Sequence, residues 1–226
     1  MKKTVACLLA FFAALSLLPA AALADSFHPD DISTPHVVLM EASSGTVLYE
    51  KGGRDRAFPA STTKIMTCIL AIESCPDLDV MVTVGDTVET RGSTMGIVRR
   101  EELSLRSLLY GMMLVSGNDA AKAIAEHVSG SESAFVEQMN ARAKALGMKD
   151  TVFKNPTGLD AEGHVSTAYD IALMSRELLK HPAVTRYTTI WMDSLRDGAS
   201  SLVNTNRLIR FYQGATGLKT GSTDSA

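Results

Sequence analysis

Two short apolar runs, His36 to Ala42 and Thr46 to Glu50, flank Ser43-Ser44-Gly45, and the pattern predicts a β-hairpin closed by a glycine turn. Beyond Pro59 the pattern changes. From Ala60 to Ile72 the chain is mostly apolar and long enough for a buried helix, which begins at Ser61 and ends near Pro76. Val80 to Val84 predicts a short strand, and the region of Gly92 and Gly96 a loop. Leu103, Leu105, Leu108, Leu109, Met112 and Met113 make the apolar face of a helix, and Asp119 to Val128 makes another after a break at Ser116-Gly117-Asn118. Phe135, Met139, Ala143 and Leu146 recur at helical spacing before Gly147. Asn155-Pro156-Thr157-Gly158 is a turn. Thr167 and Asp170 have capping-box-like spacing ahead of a helix from Ile171 to Leu179, which His181-Pro182 stops. From Leu202 the chain is loop-like and then extended, with a strand expected over 217–223. That last strand must return beside the first ones to find a partner. The order predicts an α+β fold, an antiparallel sheet with flanking helices and a helical lobe.

The apolar content is uneven. Hydrophobic residues make up 46% of the 226 positions, yet 19 of them fall within the first 24, where Lys2 and Lys3 are the only charges. A basic start, an apolar run from Val5 to Leu18 and the small-residue pattern Ala22-Leu23-Ala24 before Asp25 predict a secretory leader over residues 1–24. The uncharged run from Thr4 to Ala24 is long enough to span a bilayer, but Pro19 interrupts it and the cleavage site is well formed, so cleavage after Ala24 is expected. Residues 25–226 then form one domain, with no further apolar run of membrane-spanning length. The 22 Lys+Arg against 25 Asp+Glu give a net charge of −3, which supplies no cationic cluster for phosphate, so nucleic acid is not an expected partner. The five histidines lack metal-ligand spacing and the three cysteines are too few for a zinc module or a disulfide scaffold; no metal or other cofactor is implied. Cys7 leaves with the leader. Cys68 and Cys75 would stand about 10 Å apart on a continuous helix, beyond disulfide reach. They pair only if the helix ends before Cys75, which Pro76 permits; two separate thiols, one of them buried, are expected.

Ser61-Thr62-Thr63-Lys64 is the first candidate for chemistry. Positions i and i+3 share a helix face, so the Ser61 hydroxyl and the Lys64 amine fall within reach of each other. A nucleophilic serine needs an adjacent base, and a lysine serves only when neutral, which burial and a second cation nearby would favour. The start of the helix adds N–H groups that favour developing negative charge. Alone this spacing is common. Ser116-Gly117-Asn118 between two helices and Lys219-Thr220-Gly221 on the terminal strand are the second and third elements, with 55 residues from Ser61 to Ser116 and 103 from Ser116 to Lys219. Jointly, in this order, they match penicillin-binding proteins and active-site serine β-lactamases, with Gly117 in place of an aspartate.

On these residues, and on Asn155-Pro156-Thr157-Gly158-Leu159-Asp160 and Ser166-Thr167-Ala168-Tyr169-Asp170, the chain resembles a serine-type D-alanyl-D-alanine carboxypeptidase. That is a low-molecular-weight penicillin-binding protein of the β-lactamase/transpeptidase-like superfamily, and the likeness runs from about His36 to the last residue. The Ser-Gly-Asn form is similar to the carboxypeptidase branch. The resemblance implies that Ser61 attacks the penultimate D-alanine carbonyl of a peptidoglycan stem peptide ending in D-Ala-D-Ala and is acylated by β-lactam antibiotics, that Lys64 takes its proton, and that Ser116 relays a proton to the leaving amine. It further implies that Asn118 holds the substrate amide, that Lys219, Thr220 and Gly221 bind the substrate end with its carboxylate, and that the backbone N–H groups of Ser61 and Ser222 form the oxyanion hole. No cofactor is implied. The work would lie outside the bacterial cytoplasmic membrane, at the cell wall. Relatives rest on the membrane through an amphipathic C-terminal helix, so peripheral membrane association stays open.

Three readings of other residues are bland. Glu162 follows the Asn155 turn in a polar loop and is not expected to be a deacylation base; His164 and His181 are expected at the surface or as caps; the methionines are core filler. Against the resemblance the chain stops five residues after Gly221, where relatives continue with further strands and an arginine for the substrate carboxylate. An incomplete catalytic domain is therefore expected, with an unpaired edge on the K-T-G strand and reduced stability or activity. The alternatives are a β-lactamase, told apart by a short-lived acyl-enzyme, and a non-catalytic penicillin-binding sensor or inactive fragment.

Overall fold

A computed structural model of the chain describes residues 28–225. The leader read over residues 1–24 lies outside them. The chain divides into two units: Met1–Thr34, whose described residues contain one short 3-10 turn, Pro29–Asp31, and Pro35–Ala226, which carries everything that follows.

In the second unit β1 (Val37–Met40) pairs antiparallel with β2 (Val47–Lys51), from Val37 opposite Lys51 to Leu39 opposite Tyr49, with the register shifting before Met40 opposite Val47. The turn between them is built on Glu41, whose carboxylate accepts from the backbone N–H groups of Ser43 and Ser44 at 3.0 and 2.6 Å. A 3-10 turn, Ala60–Thr63, then leads into α1 (Lys64–Ser74). Short strands β3 (Met81–Thr83) and β4 (Glu102–Ser104) pair antiparallel, and α2 (Leu105–Leu114) follows at once, capped by the Ser104 hydroxyl, which accepts from Ser107 N–H at 3.1 Å. Next come α3 (Asn118–Ser129), α4 (Glu132–Ala145) and α5 (Ala168–Leu179). Thr167 caps α5 as its spacing predicts, at 3.0 Å from Asp170 N–H. The Asp170 carboxylate does not return to the cap. It accepts from Asp150 N–H and the Thr151 hydroxyl at 2.9 and 2.8 Å, which fastens α5 to the preceding loop. The remaining elements are α6 (Pro182–Thr188), the antiparallel pair β5 (Met192–Leu195) and β6 (Ser200–Val203), and α7 (Leu208–Phe211).

The architecture is α+β, with its strands in three separate antiparallel pairs among the described residues. The core is helical. α1 is buried almost all round, with Ile65, Met66, Cys68, Ile69 and Ala71 at 2% exposure or less, packed with Leu108, Leu109, Met112 and Met113 of α2, Ile124 of α3 and Phe135 and Met139 of α4. Each such aliphatic side chain contributes roughly 1.5–3 kcal/mol of burial. That surplus lets α1 carry Lys64 with no exposed area at all.

The strand expected over 217–223 is not formed. Those residues adopt no regular secondary structure and share no ladder with any described residue, and a strand exists only through its partner. Side chains hold the segment instead: Asn206 donates to Gly217 O at 2.8 Å and Thr188 to Thr216 O at 2.7 Å. Cys68 and Cys75 are separate thiols, as expected. Burial pushes the Cys68 thiol up to about 12.

Candidate active site

The backbone at Ser61 is a 3-10 turn rather than an α-helix. Ala60 stands at φ +46 ahead of it, and Thr62 N–H donates to Pro59 O at 3.1 Å. The turn lifts the Ser61 hydroxyl onto the Lys64 amine, three residues on, at 2.9 Å. Lys64 Nζ has two further partners, Asn118 Oδ1 at 2.7 Å and the Thr157 carbonyl at 2.5 Å. Burial, and after it the positive charge of Lys219, lowers the Lys64 amine from 10.5 to about 7, against an opposing pull from Asp119. An amine lowered this far and in contact with a serine hydroxyl has the chemistry that a general base requires.

Ser116 lies on the link between α2 and α3, 5% exposed and at φ +63, a left-handed conformation that costs a non-glycine residue roughly 1–2 kcal/mol. The loop over 91–97 fixes the start of α3. Asn118 N–H donates to Ser93 O at 2.8 Å and Asn118 Nδ2 to Arg91 O at 2.7 Å. The buried Asp119 carboxylate accepts from Met95 N–H at 3.0 Å and Ile97 N–H at 3.1 Å. With its NH2 group committed to Arg91, Asn118 turns its oxygen to Lys64. Ser116 itself has no hydrogen bond to Lys64 or Lys219.

The third motif arrives without a strand. A Cβ on Gly221 would stand 3.1 Å from Ser61 N and 3.2 Å from Pro59 O, tight enough that the nucleophile turn would have to give by a few tenths of an ångström, so the segment lies close against that turn. Burial lowers Lys219 to about 8, and its amine donates to Thr220 O at 2.8 Å. The Thr220 hydroxyl bonds Thr205 Oγ1 at 2.7 Å. Ser222 lines an open cleft of about 310 Å³ with Arg91, Gly92, Leu159, Asp160, Thr223 and Asp224. A larger hollow of about 530 Å³, lined by Thr94, Ile97, Arg99 and Asp119 among others, holds none of the serines or lysines of the three motifs.

The residues the motifs did not flag belong to the Asn155 turn. Asn155 Oδ1 accepts from Thr157 N–H, the Thr157 hydroxyl and Gly158 N–H at 3.1, 2.8 and 2.8 Å, while Nδ2 donates to Leu159 O at 2.8 Å. Thr67, one turn along α1 from Lys64, donates to Pro156 O at 2.8 Å. Gly158, at φ +84, is pressed against the Ala60 carbonyl so closely that a Cβ would be driven into it. Gly158→Ala is therefore expected to lose about 3 kcal/mol or more, from backbone strain and overpacking together. A thermal melt equal to the parent's would refute that. The N-P-T-G turn signal was visible; its contact with Lys64 was not, because that contact runs through a backbone carbonyl.

His164 is a correction. It is 1% exposed rather than a surface or capping residue: Nε2 lies 3.0 Å from the Thr63 hydroxyl, and the ring stands edge-on to Phe153. Burial lowers it to about 4, so it is neutral beneath the nucleophile turn. Glu162 is exposed. Among the described residues Glu73, Glu177 and His181 bring metal-capable atoms within 4.8 Å of one another, but Arg142 bridges both carboxylates at 2.6 and 2.8 Å and Lys180 pairs with Glu177 at 2.5 Å, so two cations already balance the two carboxylates.

Comparison with known proteins adds the context. Residues 23–226 match the model of the peptidase S11 family, described as D-alanyl-D-alanine carboxypeptidase. The chain is 47% identical over 200 residues to D-alanyl-D-alanine carboxypeptidase DacF of Bacillus subtilis, covering 84% of this chain and 51% of the relative. It is 35% identical over 201 residues to DacC of Escherichia coli, covering 84% and 50%. The chain thus spans about half the length of the curated relatives it matches. Among solved structures, the D-alanyl-D-alanine carboxypeptidase DacD of Francisella tularensis superposes with a TM-score of 0.80 at 29% identity, over 86% of this chain and 60% of that one. The Streptomyces K15 DD-transpeptidase superposes with a TM-score of 0.80 at 28% identity, over 86% and 82%.

Proposed function

Because the chain belongs to the peptidase S11 family of D-alanyl-D-alanine carboxypeptidases, we propose that it removes the terminal D-alanine from peptidoglycan stem peptides through an acyl-enzyme on Ser61. The observation that carries this reading is Lys64, fully buried, 2.9 Å from Ser61 Oγ and lowered to about 7.

Neutral Lys64 takes the Ser61 proton as Oγ attacks the carbonyl carbon of the penultimate D-alanine. The oxyanion is received by the backbone N–H groups of Ser61 and Ser222, a pairing supported by the closeness of Gly221 to Ser61 N. The proton passes from Lys64 through Ser116 to the amine of the departing D-alanine as the C–N bond breaks, and water then hydrolyses the ester. The Asn118 oxygen keeps a second lone pair for the substrate amide N–H while it holds Lys64. Lys219 and Thr220 bind the terminal carboxylate in this reading, the ammonium supplying charge and the hydroxyl a hydrogen bond. β-Lactams acylate the same serine.

The work is placed outside the cytoplasmic membrane, at the wall, after removal of a leader over residues 1–24. Among the described residues no helix is long and apolar enough to cross a membrane. The β-lactamase alternative asks for a carboxylate to deacylate the penicilloyl ester. The exposure of Glu162, and the Thr157 carbonyl in contact with Lys64, speak against it.

The test is release of D-alanine from a diacyl-Lys-D-Ala-D-Ala peptide, titrated to zero by one equivalent of fluorescent penicillin. Labelling on Ser61 with no release of D-alanine would remove the peptidase reading and leave a sensor.

A further inference from the structure

The three partners of Lys64 Nζ are not equivalent. A neutral amine has two N–H donors and one lone pair. The Thr157 carbonyl can only accept. The Asn118 side chain presents its oxygen, and its NH2 group is committed to Arg91 O at 2.7 Å, so a flip of the amide would sacrifice two hydrogen bonds. Ser61 Oγ, at 2.9 Å, is the one partner that carries a proton to give. With both acceptors in place, the two N–H bonds are used on Asn118 and Thr157 and the lone pair faces Ser61. If the Thr157 carbonyl were withdrawn, the amine could turn an N–H towards Ser61, and in that orientation it cannot take the serine proton.

We propose that Asn155 is a positioning residue for the acyl-transfer base: by tying the turn from Asn155 to Leu159 it holds the Thr157 carbonyl on Lys64 and so aims the amine's lone pair at Ser61. The Asn155 side chain touches none of the reacting atoms; within its turn the Thr157 carbonyl reaches the amine. One side chain makes the four hydrogen bonds that set the carbonyl's direction, and the Thr67 bond to Pro156 O anchors the turn to the helix that carries Lys64. The inference rests on the reading of Lys64 as the base for Ser61.

Its test is the second-order rate of acylation by fluorescent penicillin, measured from pH 5 to 10 on the wild type, Asn155→Ala and Asn155→Asp, with a thermal melt of each. Asn155→Ala releases the carbonyl. Acylation is expected to fall about 10- to 100-fold at its plateau, within the range of a misoriented general base. The acid limb should move to lower pH, because an acceptor that favours the charged amine has gone. In Asn155→Asp a carboxylate keeps the three accepted bonds and adds a negative charge near Lys64. The plateau should return to within a few-fold of wild type, with the acid limb displaced to higher pH. A merely structural residue would move neither limb. Unmoved limbs in both variants, or a rate loss in Asn155→Ala that tracks its melting temperature alone, would overturn the proposal while leaving Ser61 and Lys64 in their roles. A wild type that takes no label would overturn those roles, and the proposal with them.

Discussion

Ser61→Ala is expected to lower D-alanine release by about 10⁴-fold or more and to abolish covalent labelling by penicillin, because a nucleophile that acts as one unit with its base leaves little behind when removed. The fold should not suffer. Ser61 Oγ has a single side-chain partner, Lys64, and deleting one hydroxyl at the start of a 3-10 turn leaves no cavity in the apolar core. Lys64 keeps its bonds to Asn118 and the Thr157 carbonyl. The melting temperature and the substrate's binding constant should therefore stay close to wild type while turnover disappears. The outcome that would sink the assignment is specific: a folded Ser61→Ala protein that releases D-alanine within tenfold of wild type.

Much of the frame was legible in the sequence, and for reasons tied to particular residues. The helix at Lys64 and the one carrying Phe135, Met139 and Ala143 could be read because long apolar periodicity survives burial. The β4 strand was missed because Glu102–Ser104 is three residues long and feeds straight into α2, which leaves no room for alternation. The α6 helix is not legible because Pro182 reads in the sequence as a stop, whereas proline is equally at home in the first turn of a helix. β5 and β6 are short and mostly exposed, so no buried face marked them. At the site, the motifs named Lys64, whose amine meets Ser61 and Asn118, and Gly221, which lies against Ser61 N. What they could not name were groups acting through backbone or from beneath: the Thr157 carbonyl, Gly158 against Ala60, and His164 under Thr63. Spacing along a chain reports side chains on one face, and none of these contacts is of that kind.

The second large effect lies in pH. Lys64, lowered to about 7, becomes the working base as pH rises through that value, and Lys219, lowered to about 8, loses the charge wanted for the substrate carboxylate as pH rises through the next unit. Acylation should follow a narrow bell with limbs near 7 and near 8. Lys219→Arg should carry the alkaline limb beyond pH 10, since a guanidinium does not titrate in that range, and leave the acid limb in place. Stability follows the same group with a definite sign. In the unfolded chain Lys64 returns to 10.5, so between about 7 and 10.5 the unfolded state holds the extra proton and stability rises with pH. Below 7 the folded protein carries the whole cost of a buried ammonium, about 5 kcal/mol at 1.36 kcal/mol per pKa unit. Lys64→Met has no proton to exchange. The stability of wild type relative to Lys64→Met should climb by about 3–4 kcal/mol from pH 7 to 10 in denaturant titrations, while the variant's acylation falls by about 10³-fold or more at every pH. A difference in stability that stays flat over that interval would mean that Lys64 is not held near neutrality in the fold, and the acid limb at 7 would then need another owner.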